Sequence, residues 1–312
     1  MGINKRVFGR RWPTVAGVAI LGVLCAGATA PVFAQGQMRD MEATGGNSLL
    51  GDAFDFVSHN LYLRFGAGYL DYYGTSTELK VQDARGLAAQ AFGPGKSSLE
   101  GTGSSLGDKM FPSGTIGLYV PWTNHHLATE VTISAPIKLD FQVDGIAATQ
   151  SIAPDALGGN GGDNAINPGV PTTGRNIGTL KTFPPNISFV YRPFVDTRVQ
   201  PYIGLGAMYL YTYDTDISNS LLNSVNEPQL NLTKPVACTG KLGVDINITD
   251  TFFVGAEAQY IGCAEVEAKL NNIQVNANNI SDTFGPVNVG TISSKNSFEA
   301  VLYQLSMGVR FN

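Results

Sequence analysis

Charged residues are scarce in this chain: only 14% of its 312 residues are Asp, Glu, Lys or Arg. Ordinary soluble domains carry roughly a quarter. Positive charge is the scarcer sign, with 20 Lys and Arg against 25 Asp and Glu. The first 34 residues hold four of the basic residues and no acidic one, so the remainder has 16 basic and 25 acidic residues. A chain with so little positive charge is not expected to bind nucleic acid.

Histidine is scarcer still, with three residues, His59, His125 and His126. The adjacent pair lies in a short turn, PWTNHH, and His59 precedes the first predicted strand. A metal site needs more convergent ligands than these. No Ser–His–acid spacing stands out, and no glycine-rich phosphate loop follows a strand and opens a helix. We therefore predict no enzyme activity, no metal and no cofactor.

Cysteine is limited to three residues, and Cys25 lies in the N-terminal segment described below. An exported protein with two further cysteines invites a disulfide. Strand alternation, however, places Cys238 on an apolar face with Leu242 and places Cys263 on a polar face with Glu257. Side chains on opposite faces of a sheet cannot bridge without backbone distortion. We therefore predict two free thiols.

The apolar run near the N-terminus, at 15–28, is shorter than a membrane-spanning helix normally requires. A basic segment, KRVFGRR, precedes this run, and VFA at 32–34 follows it. This arrangement is typical of a cleaved export signal. We predict a signal peptide at 1–34, a short N-terminal extension at 35–59 and a folded domain at 60–312.

Alternating apolar and polar residues are what the chain has in abundance, most clearly in GKLGVDINITDTFFVGAEAQY at 240–260. A period of two indicates a strand with one apolar and one polar face, and here two such arms join at a turn near 248–250. The same pattern recurs to give eight predicted strands. They begin at Asn60 and continue at 112–120, 127–139, about 178–192, 198–213, the two arms of 240–260, and 298–312.

The connections alternate between long and short along the chain. Long loops, rich in Gly, Ser, Asn and Pro, are predicted at 74–111, 141–177, 214–233 and 270–297. An even strand count, short turns at one end, long loops at the other and an export signal indicate an all-β fold, an eight-stranded antiparallel transmembrane barrel with periplasmic turns and external loops. The alternative is a secreted barrel or sandwich, which would have to explain eight amphipathic strands with little charge on the apolar face.

In a membrane barrel the apolar face meets lipid and the polar face lines the interior. By parity we predict a lumen lined by Tyr62, Arg64, Glu130, Tyr202, Met208, Lys241, Asp245, Glu257 and Arg310, joined by Tyr119, Lys138, Asn186, Arg192 and Gln259. Buried charges need partners, so the cations and carboxylates of this set are expected to form ion pairs that plug the periplasmic half. A narrow apolar path in the external half would be lined by Leu70, Tyr202, Met208 and Leu210.

The strand sequences resemble the OmpW family of outer-membrane proteins, which includes the AlkL-type hydrocarbon importers. The segments that carry the resemblance are LYLRFGAGYLDY (61–72), FPPNISFVYR (183–192), PYIGLGAMYLYTY (201–213), the hairpin at 240–260 and LSMGVRF (305–311). The family ends in an aromatic residue, whereas here Asn312 follows Phe311.

The resemblance implies an eight-stranded barrel in the bacterial outer membrane with a narrow, rather apolar interior. It also implies passive uptake of small hydrophobic molecules, with release sideways through the wall, and it gives outer-membrane lipid, small hydrophobic solutes and the outer-membrane assembly machinery as partners. The competing hypothesis is a closed structural or surface-interaction barrel whose lumen is plugged by ion pairs. A membrane enzyme acting on lipids has no support in the sequence.

Overall fold

The structure, a computed structural model, describes residues 59–92, 97–151 and 170–311. Asn60–Asn312 forms one compact unit. The predicted export signal and all but the last residue of the predicted extension lie outside the described residues. Within the described ranges, no helix has the length and apolar character needed to cross a membrane. Short helices lie at Leu87–Phe92, Ile146–Thr149 and Asn278–Phe284.

The rest of the regular structure is strand, numbered in chain order. The strands are β1 (Leu61–Tyr72), β2 (Leu79–Gln82), β3 (Ser97–Leu99), β4 (Thr102–Leu106), β5 (Lys109–Tyr119), β6 (Leu127–Ser134), β7 (Ile137–Gly145), β8 (Asn176–Phe183), β9 (Asn186–Tyr191), β10 (Val199–Tyr209), β11 (Tyr211–Ile217), β12 (Gln229–Leu232), β13 (Val236–Asn247), β14 (Phe252–Val275) and β15 (Val287–Arg310).

Eight of these strands pair into a closed ring. The order is β1, β5, β6, β9, β10, β13, β14 and β15, and β15 pairs back onto β1 from Tyr62↔Arg310 to Tyr72↔Ala300. Every pairing in the ring is antiparallel. Short turns close the barrel at one end, called the turn end below, and the long connections leave from the other, the loop end. The predicted eight-stranded antiparallel barrel is confirmed.

The two faces of the barrel wall are inverted relative to a soluble protein. Leu205 and Leu305 are each 71% exposed on the outside, whereas Arg64 and Lys241 are 2% and 3% exposed on the inside. A wall that exposes leucine and buries charge is stable only where its outside meets lipid. The strand alternation therefore fixes both the lipid contact and the polar interior.

The structure contradicts the prediction that the long connections are loops throughout. β14 and β15 each run for 24 residues, more than twice the 9–11 or so that cross a bilayer. Beyond the ring, β2, β3 and β12 extend the same sheet, and β11, β8, β7 and β4 form a second, four-stranded sheet. Glycine and asparagine content suggested loops, but these segments still pair and bury apolar residues such as Val81, Val143 and Leu270.

The predicted third strand, 127–139, is two strands. β6 ends at Ser134, Pro136 interrupts the ladder, and β7 begins at Ile137 in the second sheet. Buried positions are even-numbered at the end of β6 and odd-numbered in β7. Leu139 is consequently packed in an apolar core rather than against lipid, and Lys138 is exposed rather than in the lumen. The parity argument failed because it was carried across a proline.

The same kind of break divides two other predicted strands. The segment 178–192 splits into β8 and β9 at Pro184 and Pro185, and 198–213 splits into β10 and β11 at Leu210. In each case the first half and second half belong to different sheets. The membrane barrel thus passes into a loop-end sheet through these breaks, and they sit at the level of the candidate site described below.

The prediction of free thiols is wrong, because Cys238 and Cys263 form a disulfide with a Cα–Cα distance of 5.5 Å. The β14–β15 register shifts where Gly262 and Cys263 stand between Ile261 and Ala264, and Cys263 has φ +60°. This β-bulge reverses the parity of β14. Both sulfurs then lie on the same face of the wall. Sequence alternation alone could not reveal the extra residue.

Candidate functional site

Two large side chains inside the barrel pack over glycines on the neighbouring strands. Tyr62 stands opposite Gly117, and Tyr202 stands opposite Gly243. A Cβ added at either glycine would overlap the tyrosine ring. The missing side chains therefore let the two tyrosines lie flat across the wall and reach the carboxylates at the barrel axis.

We expect Gly243→Ala to lower the free energy of unfolding by about 1–3 kcal/mol, because the new methyl displaces the Tyr202 ring. Guanidinium unfolding of the protein refolded in lipid vesicles measures this change. Gly240→Ala on the same strand is the control, since the nearest atom to its Cβ is a Leu205 methyl at 3.8 Å. Equal stability of the two variants would contradict the close fit at Tyr202.

The turn-end half of the interior is filled by an ion-pair network, which we call the charged layer. Glu130, with no exposed side chain, accepts hydrogen bonds from Lys241 and Tyr62 and lies 3.2 Å from an Arg192 nitrogen. Asp245 lies 3.0 Å from Arg64. Carboxylates this deeply buried remain charged only because the guanidinium and ammonium groups surround them.

Aromatic and amide groups complete the charged layer. The Tyr202 hydroxyl donates to Glu257 at 2.9 Å and accepts from Arg64 at 2.5 Å. Arg310 donates to the Tyr119 hydroxyl at 3.1 Å and to Gln200 at 2.8 Å. Four cations face three carboxylates, and the cations also lie over rings, with the Arg310 guanidinium carbon 4.4 Å from the Phe253 ring centre.

An open vestibule of about 660 Å³ lies on the turn-end side of Arg310. Its walls are turn residues, including His125 and the segment 195–198. Burial and the nearby Arg310 guanidinium lower the pKa of His125. Tyr119, Gln200 and Arg310, which belong to the charged layer, also line the vestibule.

Uncharged polar side chains form the next layer toward the loop end. Gln304 donates to the Ser113 hydroxyl at 2.6 Å, and the Thr239 hydroxyl donates to the Asn186 carbonyl oxygen at 3.1 Å. Gln259, 2% exposed, stands one inward position above Glu257 of the charged layer. The interior thus changes from charged to neutral within one step along the strands.

Above the polar layer lies an apolar chamber of about 50 Å³. Met208 at the end of β10 and Leu210 between β10 and β11 contribute to it, and Ile137 and Leu180 contribute from the second sheet. A second apolar cavity of similar size lies between the loop-end sheets, lined by Phe141, Ile177, Leu222, Leu270 and neighbouring side chains. Two small, separate apolar cavities therefore lie beyond the polar layer, toward the loop end.

One side of the chamber borders a break in the barrel wall, which we call the window. The β6–β9 ladder ends at Thr132↔Asn186, and pairing between β7 and β8 resumes only at Ile137↔Thr182. Pro136 and Pro184 lie in this interval and have no N–H to donate. The neighbouring Ala135 N–H points away from the window, because it donates to the Pro112 carbonyl of β5.

The window lies between the chamber and the lipid-facing surface. Ser134 and Pro184 line the chamber from the inside, whereas Ile133 and Ile187 are exposed on the outside. Across these described residues no strand ladder closes the wall. At the window the two strands are therefore held together by side-chain packing rather than by backbone hydrogen bonds.

The residues predicted to line the lumen divide between two of these layers. Tyr62, Arg64, Glu130, Tyr202, Lys241, Asp245, Glu257 and Arg310 come together in the charged layer, joined by Arg192 and Tyr119. Met208, Leu70 and Leu210 line the chamber. Tyr202, predicted also for the apolar path, is instead bonded into the ion network. Chamber residues of the second sheet were missed because the strand breaks at the prolines were missed.

Among the described residues, no group of His, Cys, Asp and Glu side chains is placed to hold a metal ion. The three histidines predicted to be unconnected with a site lie at or near the turn end, where His126 bonds the Arg192 carbonyl oxygen through Nδ1 at 2.6 Å. The chemistry of the interior is therefore that of ion pairs, amides and apolar walls.

Comparison with known structures gives several barrels of the outer membrane. OprG from Pseudomonas aeruginosa matches with a TM-score of 0.57 at 16% identity, over 80% of this chain and 95% of that one. AlkL in lipid bilayers gives 0.45 at 14%, over 81% and 92%. OmpW of E. coli gives 0.36 at 14%, over 79% and 98%. No curated protein sequence matches the chain.

The likeness to OprG, at this low identity, shows a shared fold. Family membership comes from sequence: the OmpW family model matches residues 124–293, more than half of the 312 residues. This segment runs from the turn before β6 into β15, so it includes the window, the disulfide and most of the charged layer. The chain therefore belongs to the OmpW family and is a β-barrel protein of the bacterial outer membrane.

Proposed function

We propose that this barrel is a passive channel through which small hydrophobic molecules reach the outer membrane. They would move from the loop end through the apolar cavities into the chamber and leave sideways through the window. The observation that carries the proposal is the position of the chamber, which rests on a closed charged layer and borders the window. Outer-membrane lipid is then the receiving phase.

Sideways release follows from the cost of the axial route. A solute moving toward the vestibule would have to separate Glu130 from Lys241 and Arg192 and Asp245 from Arg64. Removing one partner from a buried ion pair costs about 3–5 kcal/mol, and an apolar solute offers no compensating interaction. Parting the window breaks no backbone ladder, because none joins the described strands there.

The size and lining of the chamber set the class of solute. Its walls are mostly Leu, Ile, Val, Phe and Met side chains, which favour apolar ligands. Its volume of about 50 Å³ is smaller than the roughly 150 Å³ engineered cavity that holds benzene. Passage therefore requires rotamer changes in residues such as Met208, whose unbranched side chain adapts readily.

We expect Met208→Trp to reduce uptake of a radiolabelled probe such as octane to the level of cells without the protein, because the indole fills the chamber. Uptake into intact cells is compared with cells that lack the barrel. Leu205→Trp, three residues away on the lipid-facing side and 71% exposed, is the matched control and should transport normally. Equal uptake with and without wild-type protein would disprove the channel.

The alternative is a closed structural or surface-interaction barrel, and the charged layer is the observation that favours it. In that case the chamber is only a packing void, and the loop-end sheets carry the function. The two proposals differ in one result: a closed barrel leaves probe uptake unchanged by Met208→Trp. OmpW-family membership accords with a channel rather than an enzyme.

A further inference from the structure

Three polar side chains in the chamber wall have an atom without a hydrogen-bond partner among the described residues. The atoms are Ser134 Oγ, Asn186 Nδ2 and Gln259 Nε2. Their side chains are 8%, 1% and 2% exposed, and all three line the chamber. Buried polar groups are normally hydrogen-bonded, so three unpaired groups in one cavity call for an explanation in terms of what the cavity binds.

The orientation of these groups follows from their neighbours. The Asn186 carbonyl oxygen already accepts from Thr239 at 3.1 Å, which leaves the amide nitrogen as the free end. Gln259 lies between Glu257 in the charged layer and Ile261 in the chamber wall, so its amide stands at the chamber floor. Ser134 lies beside the window. The floor of the chamber therefore offers N–H donors, while its upper walls are apolar.

Donors at the floor call for an acceptor on the solute. The cations below are already bonded to carboxylates of the charged layer, so a neutral acceptor such as a carbonyl, ester or ether oxygen fits better than a second carboxylate. The remainder of the solute would lie against Leu, Ile and Phe side chains. A pure hydrocarbon would leave the amides unpaired, which costs free energy.

We infer that the channel prefers small neutral amphiphiles with one hydrogen-bond acceptor, such as ketones and esters, over hydrocarbons of the same size. Asn186 and Gln259 act as the specificity-determining residues, and the acceptor end is held at the floor before the solute leaves by the window. This inference rests on the proposed channel function and names its substrate class.

The test compares uptake of 2-heptanone and octane, which have the same number of heavy atoms, into intact cells. Uptake in cells without the protein is subtracted. Wild type should take up the ketone faster, and Asn186→Leu/Gln259→Met should lower ketone uptake at least about fivefold while octane uptake is maintained or rises. Asn296→Leu, a buried amide on β15 outside the chamber, is the control and should leave the ratio unchanged.

The outcomes separate this inference from the proposed function. If wild type transports neither solute, the channel itself is wrong. If it transports both, but the double variant keeps the wild-type ratio, the amides do not select and the inference fails while the channel stands. Faster octane than ketone uptake in wild type would also overturn it. The altered mobility of unheated protein on SDS gels verifies that each variant has folded.

Discussion

Glu130→Gln should lower the free energy of unfolding by about 3–5 kcal/mol, a larger loss than we expect from Gly243→Ala. The side chain is fully buried and contacts Lys241, Arg192 and Tyr62, with Arg64 at 3.5 Å. Glutamine keeps the shape but removes the charge, so cations that now have three carboxylates would share two. Unfolding by guanidinium in lipid vesicles measures the loss.

Two further variants show whether charge is the cause. Glu130→Gln/Lys241→Met removes one cation together with the carboxylate and should recover part of the loss, because neighbouring groups couple strongly. Glu265→Gln breaks a 2.8 Å ion pair with Lys295 whose partners are both exposed, and it should leave stability unchanged. A Glu130→Gln variant as stable as wild type would mean that the charged layer is not held by its carboxylates.

Closing the window should abolish uptake of hydrophobic probes while the barrel remains folded. Pro136→Val/Pro184→Val gives both strands an N–H in the interval between Thr132↔Asn186 and Ile137↔Thr182. A ladder that continues through this interval removes the break in the wall. Uptake of octane by intact cells should fall to near the level of cells without the protein.

Stability provides the internal check on this variant. If a continuous ladder forms, the variant should be at least as stable as wild type, so lost uptake could not be attributed to unfolding. Pro201→Val is the control, because Pro201 lies within β10 on the lipid-facing side, away from the window. A folded Pro136→Val/Pro184→Val protein with normal uptake would remove the window from the pathway.

The barrel could be predicted from the sequence because alternation is a local property. In LYLRFGAGYLDY the apolar and polar positions already separate, and the structure gives the same strand, β1. Glu130, Lys241 and Asp245 could be placed inside by parity alone. Because one side of the wall meets lipid and the other buries charge, a charged side chain on these strands can face only the interior.

Parity failed wherever the chain departs from a regular strand. The bulge at Gly262 and Cys263 inserts one residue, which brings Cys263 beside Cys238 and produces the disulfide. The break at Pro136 turns Lys138 outward and Leu139 into the core. Both events depend on the partner strand, which no local pattern describes, although a glycine or proline marks each position.

The candidate site was predictable only in its charged half. Arg64 and Glu130 belong to membrane strands and follow their alternation, so their meeting could be predicted. The chamber combines side chains of the barrel with Leu106 of β4, which lies in a segment that the sequence suggested was loop. The sequence predicts only that Asn186 and Gln259 face inward. That their amide nitrogens are unpaired becomes visible only from the hydrogen bonds around them.

The most direct test of sideways release is a reversible cross-link across the window. Extending the β6–β9 register by two residues beyond Thr132↔Asn186 places residue 134 opposite residue 184. Ser134→Cys/Pro184→Cys, made with Cys25, Cys238 and Cys263 replaced by Ala, leaves one possible disulfide. Oxidation should stop octane uptake, and reduction should restore it, while the cysteine-free protein responds to neither treatment. Full uptake by the cross-linked protein would contradict release through this window.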